Sequence, residues 1–319
     1  MDTPGAQAAR TAGFFMMDGT RYEPMAIYLA ASLRHHHGDA LALYAYVPAQ
    51  KRAEVTPLTE KTLADLKVEI RDLPQPDLDG GIWKEPYPHG NKMLAALDDR
   101  HCDVSLFFDT DMVCVAPLEL DGLVPEGAVA AMVSDYKTWG GKNRWQKAYG
   151  LFGLQVPEER VQFHRGQRLW SPPYFNAGFV GFREGRGADG MSFAEAWLDT
   201  ARRIDFDTKL DGLRPFLDQV SLPVAIRRQG LAFEMLPRAY NLTIQNAEYD
   251  PDAQPRILHY HKPKYLKVWP QGAEAFEVCR RMVGDRRYGR LRARFKGFFE
   301  NDLTGVQQSD PPGAAQQSG

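Results

Sequence analysis

Asp109-Thr110-Asp111 closes the apolar run Val104-Ser105-Leu106-Phe107-Phe108. Two carboxylates two residues apart, at the carboxyl end of a buried strand, are poorly suited to a core. They are well suited to hold a divalent cation. In an extended chain residues i and i+2 face the same side, so both acids can address one site. Hard cations such as Mg²⁺ and Mn²⁺ take oxygen ligands and often complete their shells with substrate phosphates. Acids also solvate strand ends, and the tripeptide alone leaves both roles open.

The elements that would position these acids alternate along the chain. Gly13 to Met17 reads as a first strand, followed by a turn at Asp18-Gly19-Thr20. A helix from about Pro24 to His37 carries Met25, Tyr28, Leu29, Ser32 and Leu33 at helical spacing, and Gly38 suits its C-terminal cap. Leu41 to Val47 is a second strand, Thr59 to Leu66 a helix, and Lys67 to Leu73 a third strand. Asn91 to Asp99 reads as a helix, and Val104 to Phe108 as the strand that delivers the acids. Further strands are expected at Ala128–Val133, Ala177–Phe182, Ala232–Leu236 and Arg256–Tyr260. This alternation predicts an α/β fold with a mostly parallel central sheet flanked by helices. In such sheets ligands lie outside the carboxyl ends of the strands, which puts Asp18 and the Asp109–Asp111 pair on one edge.

At 319 residues the chain has room for one large α/β domain or two small ones. Its apolar fraction of 44% supports a sizeable core. A net charge of −2 gives no electrostatic basis for nucleic acid as a partner. Cys102, Cys114 and Cys279 are odd in number and widely spaced, which suits reduced thiols and not a disulfide frame or a zinc site. No apolar run approaches the ~18–20 residues that span a bilayer. The opening MDTPGAQAAR lacks a basic-then-apolar signal pattern. A cytoplasmic protein is expected. Asn241-Leu242-Thr243 matches a glycosylation sequon, read here as chance.

Residues 1–10 read as a flexible N-terminus and 304–319 as a disordered tail, leaving 11–303 as a single domain. Within it, 135–173 is rich in aromatic, glycine and basic residues, including Trp139, Trp145, Tyr149, Phe152 and Trp170. Such a segment is expected to be a functional insertion. Its aromatics suit either stacking on a sugar ring or a local minicore. His35-His36-His37 reads as the basic last turn of a helix, favourable to its dipole, with metal chelation as the alternative. The basic run Arg280 to Lys296 reads as a solvated amphipathic helix, with peripheral membrane contact as the alternative.

Four stretches read together: VSLFFDTDMVC (104–114), YFNAGFVGF (174–182), LDQVS (217–221) and ILHYHKPK (257–264). In this order they resemble the nucleotide-diphospho-sugar glycosyltransferases of the GT-A fold, particularly the retaining family 8, over roughly residues 12 to 265. The resemblance implies a UDP-sugar donor, a Mn²⁺ or Mg²⁺ cofactor and a hexose moved to the hydroxyl of a glycan, lipid or protein acceptor. It implies that Asp109 and Asp111, with Thr110 between them, bind the donor and that both acids ligate the metal, with His259 as third ligand and His261 as its competitor. An imidazole favours Mn²⁺ over Mg²⁺.

By the same resemblance Lys262 or Lys264 meets the donor phosphates, where a cation would stabilise the departing diphosphate. Lys92 falls near the donor, or is an ordinary helix lysine. Tyr22 would stack on the base, with Asp18 accepting from uracil or ribose. Asn176, Ala177 and Gly178 would lie beside the donor sugar, where a small residue lets backbone approach. Asp218 would bind sugar hydroxyls and Gln219 lie near the anomeric carbon, although Asp218 also reads as a helix N-cap. Asp135 is a further contact for the donor sugar.

Two rivals stand beside this reading. A sugar-nucleotide pyrophosphorylase would carry a Gly-rich, Arg-Lys loop after the first strand, where this chain has Met17-Asp18-Gly19-Thr20-Arg21. A non-catalytic nucleotide-sugar or glycan-binding protein would keep the fold and perform no transfer.

Overall fold

The computed structural model describes residues 9–141, 143–207, 209–244 and 249–302. Of the expected flexible N-terminus only Ala9 and Arg10 are included, and Arg10 donates its backbone N–H to Asp103 Oδ2 at 2.8 Å. The rest of that segment and the expected C-terminal tail lie outside the described residues.

The chain opens with β1 (Thr11–Met16), α1 (Glu23–His37), β2 (Leu41–Val47), α2 (Pro57–Asp65) and β3 (Val68–Asp72). It continues through α3 (Asn91–Ala96), β4 (Val104–Phe108), β5 (Met112–Cys114) and β6 (Ala128–Val133). Next come α4 (Arg144–Gly150), β7 (Val161–Gln162), β8 (Trp170–Ser171), β9 (Phe175–Arg183), α5 (Phe193–Phe206) and α6 (Leu217–Arg228). The last elements are β10 (Ala232–Leu236), β11 (Leu242–Thr243), β12 (Ile257–His259), α7 (Pro270–Val283), α8 (Asp285–Arg294) and α9 (Lys296–Phe299).

Seven strands form the central sheet in the order β10-β6-β9-β4-β1-β2-β3. All neighbours are parallel except β9, which runs antiparallel to both β4 and β6. The sheet is therefore mostly parallel and flanked by helices, as the alternating pattern predicts. Its inner strands β1, β4, β6 and β9 are buried on both faces, with successive side chains serving opposite cores, whereas the edge strands β3 and β10 are partly exposed. Phe14 and Phe107 belong to one apolar cluster with α3, α5 and α6, while Phe15, Leu106 and Phe108 belong to the other with α1 and α7. On the second face α1 is fastened to α7 by the Tyr28 hydroxyl, which donates to Gly272 O at 2.7 Å.

The reversal of β9 matters for function. It enters the sheet at the edge where β1, β4 and β6 leave, so its first residues join the carboxyl ends of the parallel strands. There its register with β6 shifts: Ala131 opposes Val180, but Met132 opposes Asn176. Residues 177–179 are skipped in the β6 register while Phe179 stays paired with Phe108 of β4, a bulge of the kind that re-aims backbone and side chains.

Several expectations are corrected. The helix from Asn91 ends at Ala96, not Asp99. Helix α5 was not anticipated, although Ser192 and Glu195 form a reciprocal capping box at its start. His37 is not part of a cationic last turn: its Nε2 accepts the Leu118 backbone N–H at 3.2 Å, which requires a neutral ring. In the 135–173 segment Trp139, Trp145 and Tyr149 are buried against one another as a minicore, while Trp170 is exposed. Cys102, Cys114 and Cys279 are free thiols. Among the described residues no helix is long and apolar enough to cross a membrane.

Candidate active site

The two acids of the Asp109-Thr110-Asp111 segment do converge, but not by the pleat of an extended strand. The chain leaves β4 in a turn, with the Asp109 carbonyl accepting from Met112 N at 3.1 Å, and re-enters the small sheet β11-β12-β5. Thr110 locks the turn by donating its hydroxyl to the Met16 carbonyl at the end of β1. Antiparallel pairing of β5 with β12 sets Met112 opposite His259, and Tyr260 N donates to Asp111 O at 3.0 Å. A residue distant in sequence is thereby fixed beside the acids.

His259 Nε2 lies 3.1 Å from Asp111 Oδ1 and 4.0 Å from Asp109 Oδ2. His261 Nδ1 lies 3.6 Å from Asp111 Oδ2, and the His259 and His261 rings are close but tilted, with centroids 3.9 Å apart and planes at 36°. His261 reaches this position from a left-handed backbone, φ 53°, uncommon for a residue with a side chain. Ligand atoms of Asp111, His259 and His261 all lie within 4.8 Å of one another. Asp109 stands beside that group, also paired to Lys92. Mixed carboxylate and imidazole donors suit Mn²⁺, so the residues present fit the implied cation.

Asn241, read from sequence as a chance sequon, is fully buried in this cluster. Its Oδ1 lies 2.9 Å from His259 Nδ1, and its Nδ2 donates to Asn176 Oδ1 at 3.1 Å. Asn176 Oδ1 also accepts the Gly178 N–H at 2.8 Å, which identifies that atom as the oxygen. The amide of Asn241 is thus oriented, His259 Nδ1 is the donor, and Nε2 is the atom presented to the acids. Burial alone would lower the pKa of His259, but Asp111 outweighs it and raises the net value. Burial would raise Asp111, yet His259 and His261 hold it well below the usual carboxylate range.

Lys92 links this cluster to the helix start at Leu217-Asp218-Gln219. It is buried and spends all three ammonium donors: 3.1 Å to Asp109 Oδ1, 2.9 Å to Asp218 Oδ2 and 2.9 Å to Ala177 O. Desolvation opposes its charge, but Asp109 and Asp218 prevail, and its pKa lies above that of an ordinary lysine. The reading of Lys92 as a solvated helix lysine is excluded. So is Asp218 as an N-cap: it lies inside α6, where Phe216 holds the cap position.

The Asp218 carboxylate also accepts from Tyr87 at 2.9 Å, while Asp218 N donates back to the Tyr87 hydroxyl at 3.0 Å. Tyr87 sits in an irregular stretch with no periodic signal, and sequence reasoning missed it. Its phenol is pushed up by burial first and by Asp218 second.

Between these groups lies a cavity of about 330 Å³. Asp18, Tyr22, Lys92, Asp109, Asp111, Asn176, Gly178, Asp218, Gln219, His259 and His261 contribute to its wall. Gln219 Oε1 is buried there without a hydrogen-bond partner. Asp18 is held by Lys51 at 2.5 Å and by Asn91 Nδ2 at 3.3 Å. Ala177 contributes its carbonyl to Lys92 and does not line the cavity. Gly178 is required by space: a Cβ there would lie 2.9 Å from Asn176 Oδ1, Asp109 Oδ2 and His259 Cε1. Lys262 lines an adjoining cavity, whereas Lys264 is exposed with its ammonium 5.1 Å from the Tyr265 ring centre. Asp135 is buried outside this cavity, 3.6 Å from Arg165 and 3.8 Å from Arg238.

Residues 13–230 match the Rhodobacterales glycosyltransferase domain family. The match stops before β12, so His259, His261, Lys262 and Lys264 lie beyond it. No curated protein matches the chain. Solved structures of similar shape include the WbbM bifunctional glycosyltransferase, 14% identical with a TM-score of 0.49. That likeness covers 86% of this chain and 52% of the WbbM chain, so the chain spans about half its length. The galactosyltransferase LgtC, in complex with donor and acceptor sugar analogues, is 14% identical with a TM-score of 0.48, covering 84% of this chain and 95% of that one. Mouse xyloside xylosyltransferase 1 is 12% identical with a TM-score of 0.47, covering 78% and 97%. Likenesses this distant fix neither substrate nor mechanism.

Proposed function

We propose, since the chain belongs to the Rhodobacterales glycosyltransferase domain family, that it moves a hexose from a UDP-sugar to an acceptor hydroxyl with retention at the anomeric carbon. One observation carries the reading: Asp109, Asp111, His259, Asp218 and Gln219 line a single cavity, and the Lys92 ammonium joins Asp109 to Asp218 across it. A divalent cation, Mn²⁺ or Mg²⁺, would be held by Asp109, Asp111 and His259, with His261 the further donor. When bound, such a cation supplies charge stabilisation to the departing diphosphate.

The chain's own residues do the rest. Tyr22 offers its ring to the base and Asp18 an acceptor to the base or ribose. Asn176 and Gly178 let the donor sugar approach backbone closely. Lys92 holds the carboxylates of Asp109 and Asp218 in fixed relation, so the diphosphate end and the sugar end keep one spacing. Asp218, oriented by Tyr87 and Lys92, retains lone pairs for sugar hydroxyls. Gln219 Oε1 meets no protein donor in the cavity, which suits it to the reacting face of the sugar. A retaining transfer needs no strong general base, because the leaving phosphate oxygen can take the acceptor's proton. Lys262, in the adjoining cavity, is better placed than Lys264 to reach a phosphate.

The test is release of UDP from a panel of UDP-sugars with Mn²⁺. Turnover in the wild type that disappears in Asp111→Ala supports the proposal. Mn²⁺-dependent UDP binding without turnover on a broad donor and acceptor panel would instead identify a binding protein on the same fold.

A further inference from the structure

Helices α7 to α9 lie beyond the family match, yet they border the site. A second cavity, of about 790 Å³, shares Tyr22, Asp111 and His261 with the first, so the two meet at the acid–imidazole cluster. Its remaining wall is cationic. Arg21, Lys262, Arg294 and Lys296 line it, against one carboxylate, Asp111. Arg21 is engaged with Tyr22, its guanidinium 4.5 Å from the ring centre and bonded to the hydroxyl. Among the described residues no carboxylate lies within ion-pair distance of Lys262, Arg294 or Lys296. Like charges gathered around one cavity repel until an anion joins them.

This wall is anchored. Phe298 of α9 is buried with its ring 5.5 Å from Tyr28 and 6.4 Å from Tyr260, the residue between the two histidines. Phe295, between Arg294 and Lys296, is buried as well. The turn that carries both cations is thereby pinned to Tyr260, which follows β12 and separates His259 from His261.

We infer that Arg294 and Lys296, together with Lys262, form a diphosphate-binding wall that completes the donor site from the C-terminal helices. The inference rests on the nucleotide-sugar reading of the first cavity. With the proposed cation held at Asp111, a diphosphate beside it would extend into the second cavity, whose wall carries Lys262, Arg294 and Lys296. The ligand chemistry is the phosphate oxygen, and two sources supply it: a soluble nucleoside diphosphate, which the shared cavity wall favours, and a phospholipid headgroup.

Calorimetric titration with Mn²⁺ present separates them, using UDP and UMP against wild type, R294A/K296A and the charge-conserving R294K/K296R. Loss of two charge-assisted contacts is expected to weaken UDP about tenfold to a hundredfold in R294A/K296A. UMP, which lacks the β-phosphate, loses much less, and R294K/K296R stays close to wild type. Unchanged UDP affinity in R294A/K296A, or an equal loss for UMP, overturns the inference. So does loss of flotation with phosphatidylglycerol vesicles while UDP affinity is kept, which assigns the wall to lipid. If wild type itself binds no UDP, the nucleotide-sugar reading falls. If wild type binds and R294A/K296A binds equally well, this inference alone falls.

Discussion

The ammonium of Lys92 lies 2.9 Å from Asp218 Oδ2, and both side chains are almost wholly removed from solvent. The same ammonium meets Asp109 at 3.1 Å, so one cation is shared between two carboxylates from different elements. A buried ion pair stabilises little against an apolar substitute of the same shape, but removing one partner strands the other.

Lys92→Met is therefore expected to destabilise the protein by about 3–5 kcal/mol, because two carboxylates lose their cation. Asp218→Asn should cost less, since Asp109 still pairs with Lys92. Urea unfolding of the two variants gives the comparison. Equal stability of Lys92→Met and wild type would show that water already screens this triad.

Asn241→Ala should loosen His259 without removing it. The orienting acceptor on Nδ1 is lost, and metal affinity is expected to fall about 10- to 100-fold. Asn241→Asp keeps an acceptor and should recover much of the loss. Mn²⁺ titration followed by electron paramagnetic resonance reads both; wild-type affinity in Asn241→Ala contradicts the orienting role.

Gly178→Ala and Gly181→Ala lie three residues apart on β9 and should fail differently. The first pushes a methyl against Asn176, Asp109 and His259, and is expected to lower Mn²⁺ affinity and turnover at least about tenfold. The second meets Val124 Cγ2 at 2.6 Å and Leu106 Cδ2 at 3.1 Å, away from the cavity, and should cost about 1–3 kcal/mol of stability. If Gly178→Ala binds Mn²⁺ normally, the bulge yields more than its packing suggests.

His37 gives stability an acid-side slope. Burial, helped by neighbouring His36, holds its pKa down to about 4, against an unfolded value of about 6.5. The unfolded chain binds more protons between those values, so the contribution is complete above pH 6.5 and drains away as pH falls toward 4. Allowing for partial exposure, about 1–2 kcal/mol should be lost over that window. His37→Asn should flatten the slope in pH-resolved denaturation; an unchanged slope assigns it to other groups.

Local patterns made most of the elements legible. Val104–Phe108 and Ala128–Val133 are apolar runs of strand length, and Gly38 marks the end of α1. The direction of β9 left no trace in its residues, because an apolar run buried on both faces reads the same either way. The acids at Asp109 and Asp111 were visible as a motif, but the reason for their convergence is a turn and not a pleat. Asn241 was hidden because its partners, His259 and Asn176, reach it only through β11–β12 pairing and the β9 bulge. Tyr87 lies in a stretch without period, and Lys92 resembled any helix lysine until its three acceptors were in place. Periodicity reports burial; it does not report which buried polar groups find one another.

Pairing between β5 and β12 sets a timetable for biosynthesis. Asp111 and His259 are 148 residues apart. At ordinary translation rates roughly ten seconds or more separate their emergence from the ribosome. Through that interval Lys92 is, among the described residues, the counter-charge that the acids find within the part of the chain already made. The proposed cation site would be completed only late, when the final strand docks, so a prematurely ended chain would leave the ribosome with half of it.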